Sequence, residues 1–265
     1  MCPHGRRAIE GRGGLTETSR IVAHCLVVES DEGLIVVDTG FGTGDVADPG
    51  RLGRPFRAVA RPNPTIAETA VAQIDAMGRD PSDVRHVIVT HLDLDHAGGL
   101  SDFPAAKVHL FAPELGIAQA PPLAERTRYV AEQWEHGANW VQHEVDGDTW
   151  FGFESVRPLP GLGDEVALVP LVGHSKGHSG VAIREADGWL LHCGDAFFFP
   201  GDLETPRRCP PGLRLFQNVM QHNRGDRRRN RERLRELHRE RGGEVRLICS
   251  HDPTMFEHAA RAEPR

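Results

Sequence analysis

Four residues that can bind a metal ion lie within one stretch of six, directly after the apolar run Val84–Thr90. Such a run is typical of a buried β-strand. A loop that leaves a strand can bring several side chains to one point, whereas a straight strand sends successive side chains to opposite faces. Turn or cap formation is the structural alternative for the aspartates, but so dense a cluster favours a metal site. Its members are His91, Asp93, Asp95 and His96.

Three later segments also place a potential ligand after an apolar run. Each is weak evidence alone, because a lone histidine or aspartate after a strand is usually a cap or turn residue. Together they give four ligand-bearing strand ends, with the imidazole and carboxylate donors that suit zinc, iron or manganese. The three are His174 after Val166–Val172, Asp195 after Trp189–His192, and His251 after Val245–Cys249.

The pattern of apolar runs predicts a mixed α/β chain, with two β-sheets packed face to face and helices outside them. Ile21–Val28 and Leu34–Val37 form a predicted hairpin. Thr65 to Gly78 is a predicted helix, with Thr65 and Glu68 as a capping box. We expect one domain over residues 1–265. Within it, residues 119–150 form a predicted helical segment that covers the active site.

Composition excludes several classes of protein. Hydrophobic residues make up 39% and charged residues 26%, which is ordinary for a globular protein. The net charge of −7 disfavours a nucleic-acid partner, and no apolar run approaches the roughly 20 residues of a membrane helix. Without an apolar signal at the N-terminus, we expect a cytoplasmic protein. The Arg-rich segment 224–241 is interspersed with glutamates and predicts a solvated helix face.

The order of these motifs resembles the signature of the metallo-β-lactamase superfamily, H-x-[H/D]-x-D-H, then G-H-x-x-G-H, then G-D, then a late histidine. Within it, the chain is most similar to N-acyl homoserine lactonases and to related dinuclear enzymes that cleave organophosphates and esters. The resemblance runs from Asp38-Thr39-Gly40 to His251. It implies an αββα sandwich of two mixed β-sheets with helices on the outer faces.

The resemblance also implies the ligands of two divalent ions, with zinc expected and iron or manganese as alternatives. His91, Asp93, His174 and Asp195 would bind the first ion, and Asp95, His96, His251 and Asp195 the second. Asp95 and Asp195 are the expected catalytic carboxylates, while Asp38 and His178 would support the ligands from behind. A hydroxide shared by the two ions would cleave a small ester, lactone or phosphoester.

Two departures from the family pattern leave alternatives open. Asp93 replaces a histidine, so the first site could be weakened or could prefer a harder ion than zinc. Phe198 stands where lactonases have a tyrosine, and Tyr129 is the only tyrosine in the chain. A redox, di-iron-like protein or a ligand-binding protein is therefore the alternative to a hydrolase. The expected partner is a small-molecule substrate, with no nucleic acid or membrane, and a homodimer is left open.

Overall fold

The computed structural model describes residues 1–144, 147–159 and 162–261, without the side chains of residues 155–158. By its internal contacts the chain divides into two compact units. The first consists of Met1 and Ala23–Glu144, and the second of Cys2–Val22 and Val145–Arg265. The assignment of residues 1–265 to one domain stays a prediction. In the described part of the chain, no helix is both long and apolar enough to cross a membrane.

Both units contain strands and helices. The strands are β1 Leu26–Ser30, β2 Gly33–Val37, β3 Val84–Ile88, β4 Lys107–Phe111, β5 Asn139–His143, β6 Asp148–Trp150, β7 Phe153–Pro158, β8 Val166–Pro170, β9 Ser179–Glu185, β10 Gly188–His192 and β11 Val245–Ile248. The α-helices are α1 Arg6–Glu10, α2 Thr43–Ala47, α3 Arg54–Ala60, α4 Ala70–Ala76, α5 Ala112–Gln119, α6 Pro211–Val219, α7 Arg224–Arg241 and α8 Pro253–Arg261.

The first unit contains a sheet with the strand order β1-β2-β3-β4-β5. β1 and β2 form the predicted antiparallel hairpin, although β1 begins at Leu26 rather than Ile21. The pairs from β2 to β5 are parallel. Parallel strands bury both faces and are therefore apolar along their length, as in β2, where Val36 and Val37 are fully buried. The carboxyl ends of β2 and β3 lie at the same edge of this sheet.

The second unit contains a sheet with the order β11-β10-β9-β8-β7-β6. β10 and β11 are parallel, whereas the other paired strands are antiparallel. Leu234 and Leu237 of α7 are buried in the core of this unit, as the helical spacing predicts. Cys193 and Cys249 are buried in the same core, as free thiols.

The predicted helix over residues 65–78 is present in shortened form. A 3₁₀ turn occupies Ile66–Glu68, and α4 begins only at Ala70. The hydroxyl of Thr69 accepts a hydrogen bond from the backbone N–H of Ala72 and caps this helix. Thr65 does bond the carboxylate of Glu68, but it caps no α-helix, so the capping box was assigned one turn too early.

The prediction of a helical segment over residues 119–150 is wrong. α5 ends at Gln119, before the pair Pro121-Pro122, and proline cannot continue a helix because it lacks the backbone N–H. The chain then forms a series of turns, a 3₁₀ turn at Ala131–Gln133 and β5. Gly137 has a φ of 88°, a left-handed conformation that separates this turn from β5. Residues 145 and 146 of the segment lie outside the described residues.

Candidate functional site

The four residues predicted after β3 lie together in the first unit, and all are buried. The rings of His91 and His96 have centroids 4.0 Å apart. His91 Nε2 lies 3.5 Å from Asp93 Oδ2, and His96 Nε2 lies 4.0 Å from Asp95 Oδ1. Donor atoms on one tetrahedral ion, each about 2.0–2.2 Å from it, are roughly 3.3–3.6 Å apart. The loop thus holds nitrogen and oxygen donors at, or slightly beyond, the spacing of metal ligands.

Asp38 and Thr90 fix the orientation of both histidines. Asp38 Oδ1 accepts a hydrogen bond from the backbone N–H of Thr90 (2.7 Å), and Oδ2 accepts one from the Thr90 hydroxyl (2.8 Å). Oδ2 also lies 2.9 Å from His96 Nδ1, and the Thr90 oxygen lies 2.9 Å from His91 Nδ1. With Nδ1 of each ring as the donor, Nε2 carries the lone pair. Asp38 therefore contacts His96 directly and His91 through the hydroxyl of Thr90.

Close packing shapes the loop after β3. The backbone N–H of Leu92 donates to the buried carboxylate of Glu114 (3.0 Å). A Cβ at Gly98 would lie 2.5 Å from the carbonyl oxygen of Gly40 and 2.4 Å from a carboxylate oxygen of Asp45. No side chain fits there. Gly98 is therefore required for this close approach of the backbone.

Asp93 has a buried partner that the sequence does not reveal. Arg128 donates from Nε to Asp93 Oδ1 and from Nη2 to Oδ2, both at 2.8 Å. Burial alone would lower the pKa of Arg128, but the attraction and hydrogen bonds of Asp93 raise it above its usual value. The pair is bidentate, a geometry that strengthens an interaction between a guanidinium and a carboxylate.

Two of the three predicted ligands of the second unit, both histidines, lie beside the carboxylate of the third, Asp195. Asp195 Oδ2 lies 3.4 Å from His174 Nε2, and Oδ1 lies 3.1 Å from His251 Nε2. These are again the separations of donor atoms on a shared ion. His251 Nδ1 lies 2.8 Å from the carbonyl oxygen of Val22, so this nitrogen donates and Nε2 faces Asp195. A carboxylate between two imidazoles is a donor set that suits a divalent metal.

His178 positions Asp195 through the backbone. Its Nε2 accepts a hydrogen bond from the backbone N–H of Asp195 (2.9 Å), so its Nδ1 must be the nitrogen that donates to the carbonyl oxygen of Leu171 (2.9 Å). His178 is fully buried and neutral in this arrangement. His178 thus links two strand ends of the sheet and fixes the backbone at Asp195.

Comparison with known proteins agrees with this geometry. The model of the metallo-β-lactamase superfamily matches residues 19–251. The chain belongs to the metallo-β-lactamase superfamily. This confirms the resemblance inferred from the motifs, and it confirms the fold class as mixed α/β.

Relatives within the superfamily are metallo-hydrolases and lactonases. A probable metallo-hydrolase of Mycobacterium tuberculosis is 46% identical over 238 residues, which cover 89% of this chain and 76% of that protein. The N-acyl homoserine lactonase AttM of Azorhizobium caulinodans is 28% identical over a region that covers 71% of this chain and 66% of the AttM chain. A crystal structure of the lactonase AiiA of Bacillus thuringiensis has N-decanoyl-L-homoserine bound at its active site. It aligns with 100% of this chain and with 94% of the AiiA chain, at a TM-score of 0.72 and 22% sequence identity. This last likeness shows the fold.

Phe198, which replaces the tyrosine of superfamily lactonases, packs on two candidate ligands. Its ring stacks on His251 with centroids 4.9 Å apart and lies 6.0 Å from the ring of His174. The phenylalanine therefore offers an apolar surface beside both histidines. Tyr129 belongs to the buried core of the first unit, and burial raises the pKa of its phenol.

A cavity of about 280 Å³ opens beside His251 within the second unit. Its apolar wall consists of Ile9, Ile21, Phe198, Phe199 and Leu213. Two arginines also line it, but each is ion-paired, Arg12 with Glu10 and Arg20 with Glu257. The cavity therefore combines an apolar wall with a nearly neutral polar rim, next to a candidate metal ligand.

Sequence reasoning missed Thr90, Glu114 and Arg128. Thr90 had a signal, since a hydroxyl directly before His91 can reach the ring of its neighbour. Glu114 and Arg128 had none, because each reaches the loop after β3 from a segment more than 20 residues away.

Proposed function

We propose that this chain is a metal-dependent hydrolase that cleaves a small ester, lactone or phosphoester with two divalent ions. The proposed ligands are His91, Asp93, Asp95, His96, His174, Asp195 and His251. Zinc is the first expectation, with iron or manganese as alternatives. When bound, two such ions would lower the pKa of a shared water so that it attacks as hydroxide, and would polarise the scissile carbonyl or phosphoryl group.

One observation carries this proposal: both units hold buried imidazoles and carboxylates at the spacing of metal ligands, in the motif order of the superfamily. Structural histidines and aspartates would not need this spacing or the supporting bonds behind them. Asp38 fixes the ring of His96, and His178 fixes the backbone of Asp195. Such supporting residues typically accompany metal ligands.

The chemistry of the cavity supports an uncharged substrate with an apolar part. Its wall is apolar, and the arginines at its rim are already neutralised by carboxylates. A volume of about 280 Å³ suits a small substrate group rather than a polymer. Esters, lactones and phosphotriesters share this combination of a neutral polar centre and an apolar substituent.

A second candidate function is a ligand-binding or redox, di-iron-like protein with an altered first metal site. The observation that favours it is the Asp93–Arg128 pair, because both carboxylate oxygens of Asp93 already accept hydrogen bonds. A carboxylate held in this way is a weaker metal ligand than a carboxylate without such hydrogen bonds. Under this alternative, the protein binds metal but does not turn over ester-like substrates.

The two candidates are separated by assaying the purified protein on chromogenic aryl esters, lactones and phosphotriesters. We expect turnover of at least one class, loss of turnover after chelation, and recovery with added zinc, iron or manganese. Asp195→Asn, which keeps the shape of a residue that faces two histidines, should abolish turnover. Metal binding without turnover of any class would instead support the alternative.

A change at Phe198 tests whether this residue sets the preference of the site between lactones and aryl esters. Phe198→Tyr adds a hydroxyl donor beside His251 and His174, and we expect kcat/KM for lactones to rise about tenfold, the value of one good hydrogen bond. Aryl esters, whose leaving group needs less assistance, should change little. Phe199→Tyr, at a neighbouring position of the same cavity, is the matched control. If both variants change lactone and ester cleavage equally, Phe198 does not set this preference.

A further inference from the structure

Six arginines line a second cavity, of about 430 Å³, in the second unit. They are Arg207, Arg214, Arg224, Arg227, Arg228 and Arg231. Among the described residues that line this cavity, there is neither an aspartate nor a glutamate. The whole chain carries a net charge of −7, so the positive charge of this cavity is opposite in sign to the net charge of the protein. A concave surface of one sign focuses its field on the space it encloses.

The arrangement of these arginines on α7 is unfavourable for the helix itself. Arg224, Arg227, Arg228 and Arg231 are spaced i, i+3, i+4 and i+7, which places them on one face of its first turns. Like charges at these spacings destabilise a helix, and cations at a helix N-terminus oppose its dipole. Ion pairs do occur on this helix, where Arg229 pairs with Asp226 and Arg235 pairs with Glu232. The face formed by the four cavity arginines has no carboxylate among the described residues that line the cavity.

Buried donors in this cavity lack acceptors within the described structure. Arg227 is only 3% exposed. Its two terminal nitrogens donate to Gln217, but its Nε has no hydrogen-bond partner among the described residues. The same holds for Arg231 Nε and Arg207 Nη2. A buried donor without an acceptor costs about 1–3 kcal/mol. Three such donors around one cavity indicate a place for an acceptor-rich ligand.

The nearby carboxylate does not offset this charge. Asp202 is fully buried and accepts hydrogen bonds from Arg207 and Gln217. Burial and the charge of Arg231 nevertheless lower the pKa of Arg227 to about 10. Burial and the charge of Arg207 likewise lower the pKa of Arg231. The cluster retains more positive charge than its protein surroundings stabilise.

We propose that this cavity binds a small anion that carries two or more phosphoryl groups. Phosphoryl oxygens accept the paired N–H bonds of guanidinium groups, and arginine is the side chain best suited to them. Six guanidiniums exceed the requirement of one phosphate, whereas a pyrophosphate unit can engage several at once. The concave shape and the buried donors of Arg207, Arg227 and Arg231 favour a small molecule over a nucleic-acid backbone. This site is separate from the proposed hydrolytic function and does not depend on it.

Calorimetric titration of the full-length protein with inorganic pyrophosphate tests the proposal. Metal content is measured before and after, so that chelation is recognised. We expect saturable binding of one pyrophosphate per chain. Arg228→Gln and Arg231→Gln should each weaken it about tenfold or more, since each removes a charge-assisted hydrogen bond. Arg229→Gln is the matched control, because Arg229 lies on the same helix, pairs with Asp226 and does not line the cavity.

Several results would overturn the proposal. These are the absence of saturable binding at millimolar pyrophosphate, an equal weakening by Arg229→Gln, and unchanged affinity in both cavity variants, which would place the anion elsewhere. Binding of a single-stranded oligonucleotide but not of pyrophosphate would also contradict a small-molecule site. If a cavity variant on α7 fails to show the wild-type melting transition, Arg214→Gln on α6 replaces it, because Arg214 is exposed.

Discussion

At the scale of single residues, the Asp93–Arg128 pair changes what a substitution at position 93 would do. The family pattern has a histidine at this position, so Asp93→His would complete a standard ligand set. In this chain the change also removes the bidentate acceptor of Arg128, which is 5% exposed. Removing one partner of a buried pair is costly, because the other charge stays buried.

We therefore predict that Asp93→His lowers the free energy of unfolding by about 3–5 kcal/mol, the usual cost of breaking a buried ion pair. The double variant Asp93→His/Arg128→Met should recover most of this loss. Denaturant unfolding of the metal-free proteins measures both. A single variant within about 1 kcal/mol of wild type would mean that the pair contributes little. Zinc affinity of the double variant then reports whether position 93 is a ligand.

At the scale of secondary structure, the first sheet contains a row of buried histidines on three neighbouring strands. His86 Nδ1 lies 2.8 Å from His109 Nε2, and His109 Nδ1 lies 3.0 Å from His143 Nε2. Parallel pairing of β3, β4 and β5 brings these rings side by side. Burial has the largest effect on the pKa of His109, and the charges of His86 and His143 add to it. Together they lower this pKa from 6.5 to about 3.

This row should make the first unit sensitive to acid. Between pH 6.5 and about 3 the unfolded chain binds a proton at His109 that the folded chain does not. The stabilisation is therefore complete above pH 6.5 and is lost as the pH falls through this window, by at most about 1.4 kcal/mol per pH unit. His109→Phe should flatten this slope, and His238→Asn, at an exposed position on α7, should not. Equal slopes in all three proteins would contradict the assignment.

Strands were predictable from the sequence where an apolar run in the sequence coincides with burial in a sheet. The runs in β2 and β8 are apolar and buried, and β3 and β11 are interrupted only by Arg85, His86 and Arg246, so these strands were found from the sequence. β5 was missed because Asn139–His143 mixes polar and apolar residues, and its pairing with β4 becomes clear only in the folded sheet. Arg128 was missed for the same reason, since its partner lies 35 residues away.

At the scale of the whole molecule, family membership and fold follow from the motif order, which the comparisons confirm. The substrate does not follow, because the residues that line a cavity vary independently of the fold. Phe198, which lines the cavity beside His251, is a departure from the family pattern given by the motifs. Sequence reasoning had assigned the arginine-rich segment 224–241 to solvent, whereas four of its arginines line one cavity.

Metal content is the most direct test of the central claim, that two divalent ions are held by the seven proposed ligands. Elemental analysis of protein purified without chelator should give close to two ions per chain. Asp195→Ala should lose both metal and hydrolysis, since its carboxylate lies within 3.4 Å of a nitrogen of His174 and of His251. His238→Asn serves as the control and should retain both ions. A stable value near one ion per chain with full activity, or full metal content in Asp195→Ala, would contradict the account.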